Sequence, residues 1–333
     1  MHKLFILLII PFILCSCGFS DISDSLFIAS IGFEKNEEED GYIGYFYLPL
    51  SSDIGKSENT ESKGKGEFAK AKGKNITEIF NNVEVSISLD MNFRHLSSVI
   101  LDEKLLNVEF LNELVDYVKY SFDIDFNWYL FATKEKISDI YSFRNPNQES
   151  VLNSILVSSS DYNDIYLVAS PMHFLEFARK YFSERNILLP LISLEEMWTI
   201  EGEESKSIHP QSAIYYFNGR TQEVIKNIGS PYMKDNLTFY DEIKKASIHF
   251  MNYKLRLSLE DKLIINLSFD YELYKSNANV TRNDIEKFVN EKISNYLSEY
   301  EDIDPLDLKY YNYVFGRDVN YNNYEIKFDI DKN

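Results

Sequence analysis

The chain has 333 residues, of which 44% are hydrophobic and 15% aromatic, enough to form the cores of two domains of about 150 residues each. Its formal net charge of -19 at neutral pH disfavours binding to nucleic acid, because an acidic surface repels phosphates. The same charge disfavours adhesion to anionic lipid headgroups through a basic patch. The 24 tyrosines and 24 phenylalanines favour sheet-rich structure.

The N-terminus predicts export and lipid anchoring. A short positive start precedes an apolar run at 4–14, which is shorter than the roughly 20 residues of a membrane-spanning helix. The run ends in Leu14-Cys15-Ser16-Cys17, which resembles the lipobox of bacterial lipoproteins. That resemblance implies a signal peptide over residues 1–16, cleavage before Cys17, and a diacylglyceryl group on the Cys17 sulfur. The alternative is an ordinary cleaved signal whose cysteines have no role.

Residues 17–200 predict an N-terminal α/β domain, as one unit or as two subdomains. Residues 51–74 contain hardly an apolar side chain and predict a mobile loop. The lysines of this loop form the one basic stretch of the chain, which is either solvated or a docking patch for an acidic partner or a phospholipid headgroup. Asn75, with Glu78 three residues later, predicts the start of a helix.

Hydrophobic spacing predicts the other elements of this half. They are strands at 26–31, 42–50, 97–102 and 126–133, helices from 76, 108 and 137, a helix over 172–182, and a short edge strand at 188–192. In the helix over 172–182, the residues expected on the apolar face are Leu175, Ala178, Tyr181 and Phe182. A charged stretch without apolar residues at 201–207 predicts a linker over residues 201–208.

Residues 209–333 predict a second domain of α+β type. Asn218-Gly219 predicts the tight turn of a hairpin. Two long strands follow at 246–258 and 262–274, and a phase slip in the first predicts a bulge between Phe250 and Tyr253. Thr281 and Asp284 predict the cap of a long helix. That helix is expected over 282–299, and a closing strand over 324–330.

The predicted fold class of the whole chain is therefore α+β. We expect a multi-domain lipoprotein of mixed and antiparallel sheets with packed helices, because a helix lying on a sheet buries the apolar faces of both.

The sequence shows no recognised motif for catalysis or metal binding. Both cysteines lie at the leader, so the mature domains lack a disulfide and a thiol nucleophile. The histidines beyond the leader lack the spacing of a zinc site; they are His95, His173, His209 and His249. Acidic residues at 37–40, and Asp302, Asp304 and Asp307, suit weak Ca²⁺ binding but equally suit turns. We predict no catalytic residue, no metal and no cofactor.

The ordered set of motifs resembles the Ger(x)C lipoprotein family, the C subunits of bacterial spore germinant receptors. That family has an aliphatic strand running into a Gly-hydrophobic-Asp-Lys turn, here Gly32-Phe33-Glu34-Lys35, with Glu34 in place of Asp. It also has a Lys-Gly helix start, here Lys72-Gly73, and an Arg/Lys-His pair before a strand, here Arg94-His95. Residues 302–316, ending Tyr313-Val314-Phe315-Gly316, stand where the family has an Asp-x-Phe-Gly region.

The resemblance implies a non-catalytic subunit anchored by lipid at the outer face of the spore inner membrane. It implies assembly with an integral A subunit and a multispan B subunit, and a part in nutrient-triggered germination. Arg94 and His95 recur in the family pattern, so we expect them at an interface; local capping or a buried ion pair is the alternative. The alternative function is a lipid-anchored solute-binding protein, and a lipid-anchored hydrolase comes third.

Overall fold

The structure, a computed structural model, describes residues 25–48, 67–87, 90–121, 124, 126–142, 171–200, 203–225, 237–241, 246–274 and 280–332. Within these ranges the α-helices are α1 (Ile76–Ser86), α2 (Val108–Tyr120), α3 (Ile137–Ser142), α4 (Phe174–Phe182), α5 (Arg282–Tyr300) and α6 (Leu308–Phe315). None of the helices in the described ranges is both long enough and apolar enough to cross a membrane.

The described strands belong to three sheets. In chain order they are β1 (Ser25–Phe27), β2 (Ser30–Lys35), β3 (Tyr42–Leu48), β4 (Glu67–Gly73), β5 (Asp90–Asn92), β6 (Ser98–Asp102), β7 (Tyr129–Thr133), β8 (Met172–His173), β9 (Ile187–Ile200), β10 (Glu203–Phe217), β11 (Arg220–Ile225), β12 (Leu237–Asp241), β13 (Ala246–Leu259), β14 (Leu263–Tyr274) and β15 (Tyr324–Lys332). The fold is mixed α and β, as the sequence predicts.

The large sheet has the order β11-β10-β9-β7-β6-β2-β3-β4, with β8 beside β7. Its centre is parallel, since β2, β6, β7 and β9 run the same way. Both edges are antiparallel hairpins. The central strands are continuous apolar runs because helices cover both faces. Helices α1, α2 and α4 pack on one face, and α3 packs on the other.

The second sheet has the order β12-β13-β14-β15. Strands β14 and β15 are parallel, and α5 lies in the connection between them. The cap of α5 is confirmed, because Thr281 and Asp284 bond to each other's backbone N–H groups. The bulge of β13 is also confirmed, since its register shifts between Met251 and Lys254 and Asn252 has a positive φ of 53°.

The hairpin β10–β11 belongs to the large sheet, although the sequence places it in the second domain. Its side chains alternate between two cores. Ile214 and Tyr216 pack with the large sheet's helices, whereas Ala213, Tyr215 and Phe217 pack with α5 and the second sheet. The core of the second sheet therefore includes residues of the large sheet, and the two-domain division stays a prediction.

Three local predictions are wrong because they relied on apolar content alone. Residues 67–73 of the predicted loop form β4, which pairs with β3 and is the edge strand of the large sheet. Residues 203–208 of the predicted linker are the start of β10, which pairs with β9. Residues 188–192 lie in β9 between β7 and β10 rather than at an edge. Pairing with a neighbouring strand can stabilise a segment as a strand, and the composition of that segment alone does not reveal this pairing.

Candidate functional site

The turn that carries Arg94 and His95 is exposed. The Leu96 N–H donates to the Phe93 carbonyl oxygen at 2.9 Å, and the Arg94 N–H donates to Asn92 Oδ1 at 3.0 Å. A backbone hydrogen bond and the Asn92 side chain thus close the turn, and the side chains of Arg94 and His95 remain exposed to solvent. Among the described residues Arg94 forms no ion pair, which argues against the buried-pair alternative. The role of the two residues at an interface stays a prediction.

The same turn lies close to the N-terminal end of the described chain. The His95 ring packs against the Phe27 ring with centroids 5.4 Å apart. Phe27 lies ten positions after Cys17 in the sequence. At about 3.6 Å per fully extended residue, the turn lies within roughly 40 Å of Cys17, allowing for the ring contact. Cys17 itself lies outside the described residues.

The Gly32-Phe33-Glu34-Lys35 motif holds α3 against the large sheet. A Cβ atom on Gly32 would lie 2.2 Å from Ile137 Cγ2, so no larger residue fits there without displacing α3. The Glu34 carboxylate accepts hydrogen bonds from the Ile137 N–H, at the start of α3, and from the Tyr45 hydroxyl at 2.7 Å. This motif therefore serves packing and capping.

The Lys72-Gly73 motif positions α1 in a similar way. A Cβ atom on Gly73 would lie 2.7 Å from the Ile79 backbone nitrogen. The predicted cap is confirmed, because the Glu78 N–H donates to Asn75 Oδ1 at 2.8 Å. Lys72 pairs with Glu38 at 3.2 Å, so this lysine of the basic stretch is already engaged with an acidic turn.

Buried carboxylates hold the turn between α5 and α6. Asp304 and Asp307 are 2% and 5% exposed and adopt left-handed backbone conformations with φ of 52° and 57°. Asp304 accepts hydrogen bonds from the Leu308 N–H at 2.8 Å and the Lys309 N–H at 2.9 Å, which satisfies the first turn of α6. The Tyr321 hydroxyl also donates to Asp304. Burial and this carboxylate raise the pKa of Tyr321, so its hydroxyl stays protonated.

Asp307 ties the same turn to the start of β9. One carboxylate oxygen accepts from Arg185 Nη2 at 2.7 Å and Nε at 3.2 Å, and the other accepts from the Asn186 N–H at 2.7 Å. The Asn186 side-chain amide donates to the carbonyl oxygens of Ile303 and Asp304. The turn interpretation of these aspartates is confirmed. In the part of the chain that the structure describes, no group of three potential ligands is placed to hold a metal ion.

A cleft of about 660 Å³ opens beside this turn, between α4, the end of β13 and α6. Four cationic side chains and only two carboxylates line it; they are Arg179, Lys180, Arg185, Arg317, Glu176 and Asp307. Half-buried leucines of β13 and the exposed ring of Phe315 supply apolar surface. The cleft is thus locally basic in an acidic protein.

Helix α4 brings one of these cations into the interior. The sequence predicts an apolar face containing Leu175 and Phe182, but both side chains are about two-thirds exposed, at 67% and 65%. The fully buried residues are instead Phe174, Phe177 and Lys180, whereas Ala178 and Tyr181 of the predicted face are partly buried against the same core. Burial lowers the pKa of Lys180, and the nearby cations Arg185 and Arg179 lower it further. The carboxylates of Asp307 and Glu176 oppose this shift without cancelling it.

The burial of Lys180 predicts a pH-dependent stability difference. At neutral pH we expect Lys180→Met to be more stable than the parent chain, because methionine fills the site without a desolvated charge. The folded pKa lies below the ordinary value of 10.5, so the unfolded chain binds more protons between the two values. The advantage of the variant should therefore narrow as pH rises through that window toward 10.5. Urea unfolding of both proteins at pH 7 and across this window measures the difference in their free energies of unfolding. A difference that stays constant with pH would contradict the prediction.

Sequence reasoning missed the cleft because its walls come from segments far apart in the chain. Helix α4, the end of β13 and residues 305–317 are brought together only by the packing of the second sheet. The one available signal was Arg179-Lys180, adjacent cations within an amphipathic helix of an acidic protein.

Three comparisons relate this chain to known proteins. A family model described as "Spore germination protein N-terminal domain" matches residues 19–194, which is more than half of the chain. Spore germination protein B3 of Bacillus subtilis (strain 168) is 25% identical over 158 residues. That alignment spans 45% of this chain and 41% of the relative's length. A crystal structure of the GerBC protein aligns over 90% of this chain and 96% of that chain, with a TM-score of 0.46 and 15% identity.

Proposed function

Because the chain belongs to the Ger(x)C family of spore germination proteins, we propose that it is the lipid-anchored C subunit of a nutrient germinant receptor. The match of the family's N-terminal domain to residues 19–194 is the observation that carries this proposal. The matched range includes β2, β6, β7 and most of the central sheet, together with the motifs that hold α1 and α3 in place.

The proposed anchor is a diacylglyceryl group on Cys17, which would hold the chain at the outer face of the spore inner membrane. The Leu14-to-Cys17 sequence supports it. Two acyl chains suffice for stable membrane attachment, at about 0.8 kcal/mol per buried methylene. The acidic surface makes a lipid anchor more favourable than attachment by charge, because anionic headgroups repel it.

The proposed partners are an integral A subunit and a multispan B subunit, and the proposed contact is the turn of Arg94 and His95. Both side chains are exposed, and the chain length between Phe27 and Cys17 keeps them near the membrane. The proposed role is to scaffold or relay a signal without catalysis. The engagement of Asp304 and Asp307 in backbone hydrogen bonds supports that role, since these buried carboxylates are already used to build the turn.

The proposal predicts specific co-purification. The chain, tagged at Asn333, is recovered from detergent-solubilised dormant spore membranes, and its partners are identified by mass spectrometry. We expect A-type and B-type receptor subunits with the parent chain. Recovery of the chain alone, or with transporter permeases, would instead favour the solute-binding alternative.

The interface assignment is tested by the double variant Arg94→Glu/His95→Ala in the same experiment. We expect at least a tenfold loss of co-purified A and B subunits, because charge reversal at a contact weakens binding by like-charge repulsion. The unfolding midpoint should be unchanged, since both side chains are exposed. Arg220→Glu, on the turn between β10 and β11, is the matched control and should retain its partners. Equal recovery by the double variant and this control would remove Arg94 and His95 from the interface.

A further inference from the structure

The cleft beside α4 contains cations that the described carboxylates do not neutralise. Arg179 and Arg317 are exposed, and neither forms an ion pair with any carboxylate of the described ranges. Asp307 accepts three hydrogen bonds from Arg185 and Asn186, so its charge is already engaged. An excess of positive charge therefore lines one wall of the cleft.

The other wall is apolar. Leu255 and Leu257 of β13 are half-buried and line the cleft, and Phe315 of α6 lines it with 61% of its surface exposed. The volume of about 660 Å³ falls within the roughly 300–1,000 Å³ of small-molecule sites, which combine apolar lining with a few convergent polar groups. A ligand that suits both walls has an anionic group and an apolar part.

Lys180 indicates the same charge for the ligand. Its side chain is 5% exposed, so the folded protein holds this ammonium group at a desolvation cost that the carboxylates of Asp307 and Glu176 offset only in part. An anion bound in the cleft would offset that cost, and guanidinium groups beside it would hold oxyanions through paired hydrogen bonds.

We propose that this cleft is a binding site for a small organic anion. Its carboxylate or phosphate group is held by Arg179, Lys180 and Arg317. Its apolar part lies on Leu255, Leu257 and Phe315. The site goes beyond the receptor role and does not depend on it, because its lining includes neither the turn of Arg94 and His95 nor the N-terminus.

The test is calorimetric titration of the full chain, purified in a mild non-ionic detergent, with three probes. Phenylacetate carries both the charge and the apolar part, phenylacetamide lacks the charge, and inorganic phosphate lacks the apolar part. We expect saturable binding of phenylacetate, at least tenfold tighter than that of either other probe. The affinity should fall as the salt concentration rises, because salt screens the arginines.

Absence of saturable binding, or equal affinities for phenylacetate and phenylacetamide, would overturn the proposal. Phosphate binding as tightly as phenylacetate would also overturn it, since the apolar wall would contribute nothing.

Two matched double variants locate the site. Arg179→Glu/Arg317→Glu should weaken phenylacetate binding at least tenfold. Lys254→Glu/Arg256→Glu makes the same charge change on the outer face of the second sheet and should stay within twofold of the parent. All four residues are exposed, so unchanged unfolding midpoints are expected for both variants. Phenylacetate partitions into detergent equally in the samples of every variant, so partitioning cannot produce a difference in affinity between the two double variants. Binding that survives the first double variant would refute the assignment.

Discussion

Replacing Asp304 with alanine is expected to lower the free energy of unfolding by about 4 kcal/mol, the largest loss that we predict for a single polar side chain. The substitution leaves the backbone N–H groups of Leu308 and Lys309 and the Tyr321 hydroxyl without their acceptor. Each buried donor left unpaired costs about 1–3 kcal/mol. Alanine also disfavours the left-handed conformation at this position by about 1–2 kcal/mol.

Two further variants separate these contributions. Asp304→Asn keeps an acceptor oxygen and tolerates the left-handed conformation, so we expect about half the loss. Asp302→Ala removes an exposed carboxylate two residues earlier and should change stability by no more than about 0.5 kcal/mol. Urea unfolding followed by the fluorescence of the buried Trp128 provides the measurement. If Asp304→Ala and Asp302→Ala unfold at the same urea concentration, the buried carboxylate does not hold the turn.

Replacing Cys17 with alanine is expected to release the chain from the membrane fraction almost completely. The proposed anchor would contribute two acyl chains, and without them the acidic chain would have only its proposed partners to retain it. Cys15→Ala is the matched control. Cys15 would leave with the proposed signal peptide, and alanine is another small residue, so this variant should remain membrane-bound.

Fractionation of spore membranes at high salt, with immunoblotting of the tag, measures both variants. High salt removes proteins that are held only by charge. Retention of Cys17→Ala under these conditions would show that lipid on Cys17 is not the anchor. Release of both variants would instead indicate a general effect of the leader on export.

Local signals in the sequence predicted the elements that depend on local chemistry. Asn75 and Thr281 identified the starts of α1 and α5, because a cap is a contact within four residues. The phase slip near Asn252 located the bulge of β13. The alternation of apolar and polar side chains is interrupted where the strand pairing shifts its register. The family motifs could also be recognised in the sequence, although the structure shows that Gly32 and Glu34 serve packing.

Features that depend on distant partners could not be predicted in this way. Strand β4 has little apolar content and exists because β3 offers an edge. Helix α4 buries Phe174, Phe177 and Lys180 and leaves Leu175 and Phe182 exposed, because the large sheet and the turn after α5 decide which side of the helix is covered. The cleft could not be predicted for the same reason, since none of its walls forms a cleft until the distant segments pack together.

The hairpin of β10 and β11 also constrains how the length of this protein can vary. Neighbouring side chains along β10 enter different cores, with Tyr215 in one and Tyr216 in the other. Inserting or deleting one residue between 212 and 217 would exchange the two sets, because side chains alternate with a period of two. Changes in length are therefore expected in the turns of related chains, and a one-residue deletion inside β10 should prevent both cores from forming at once.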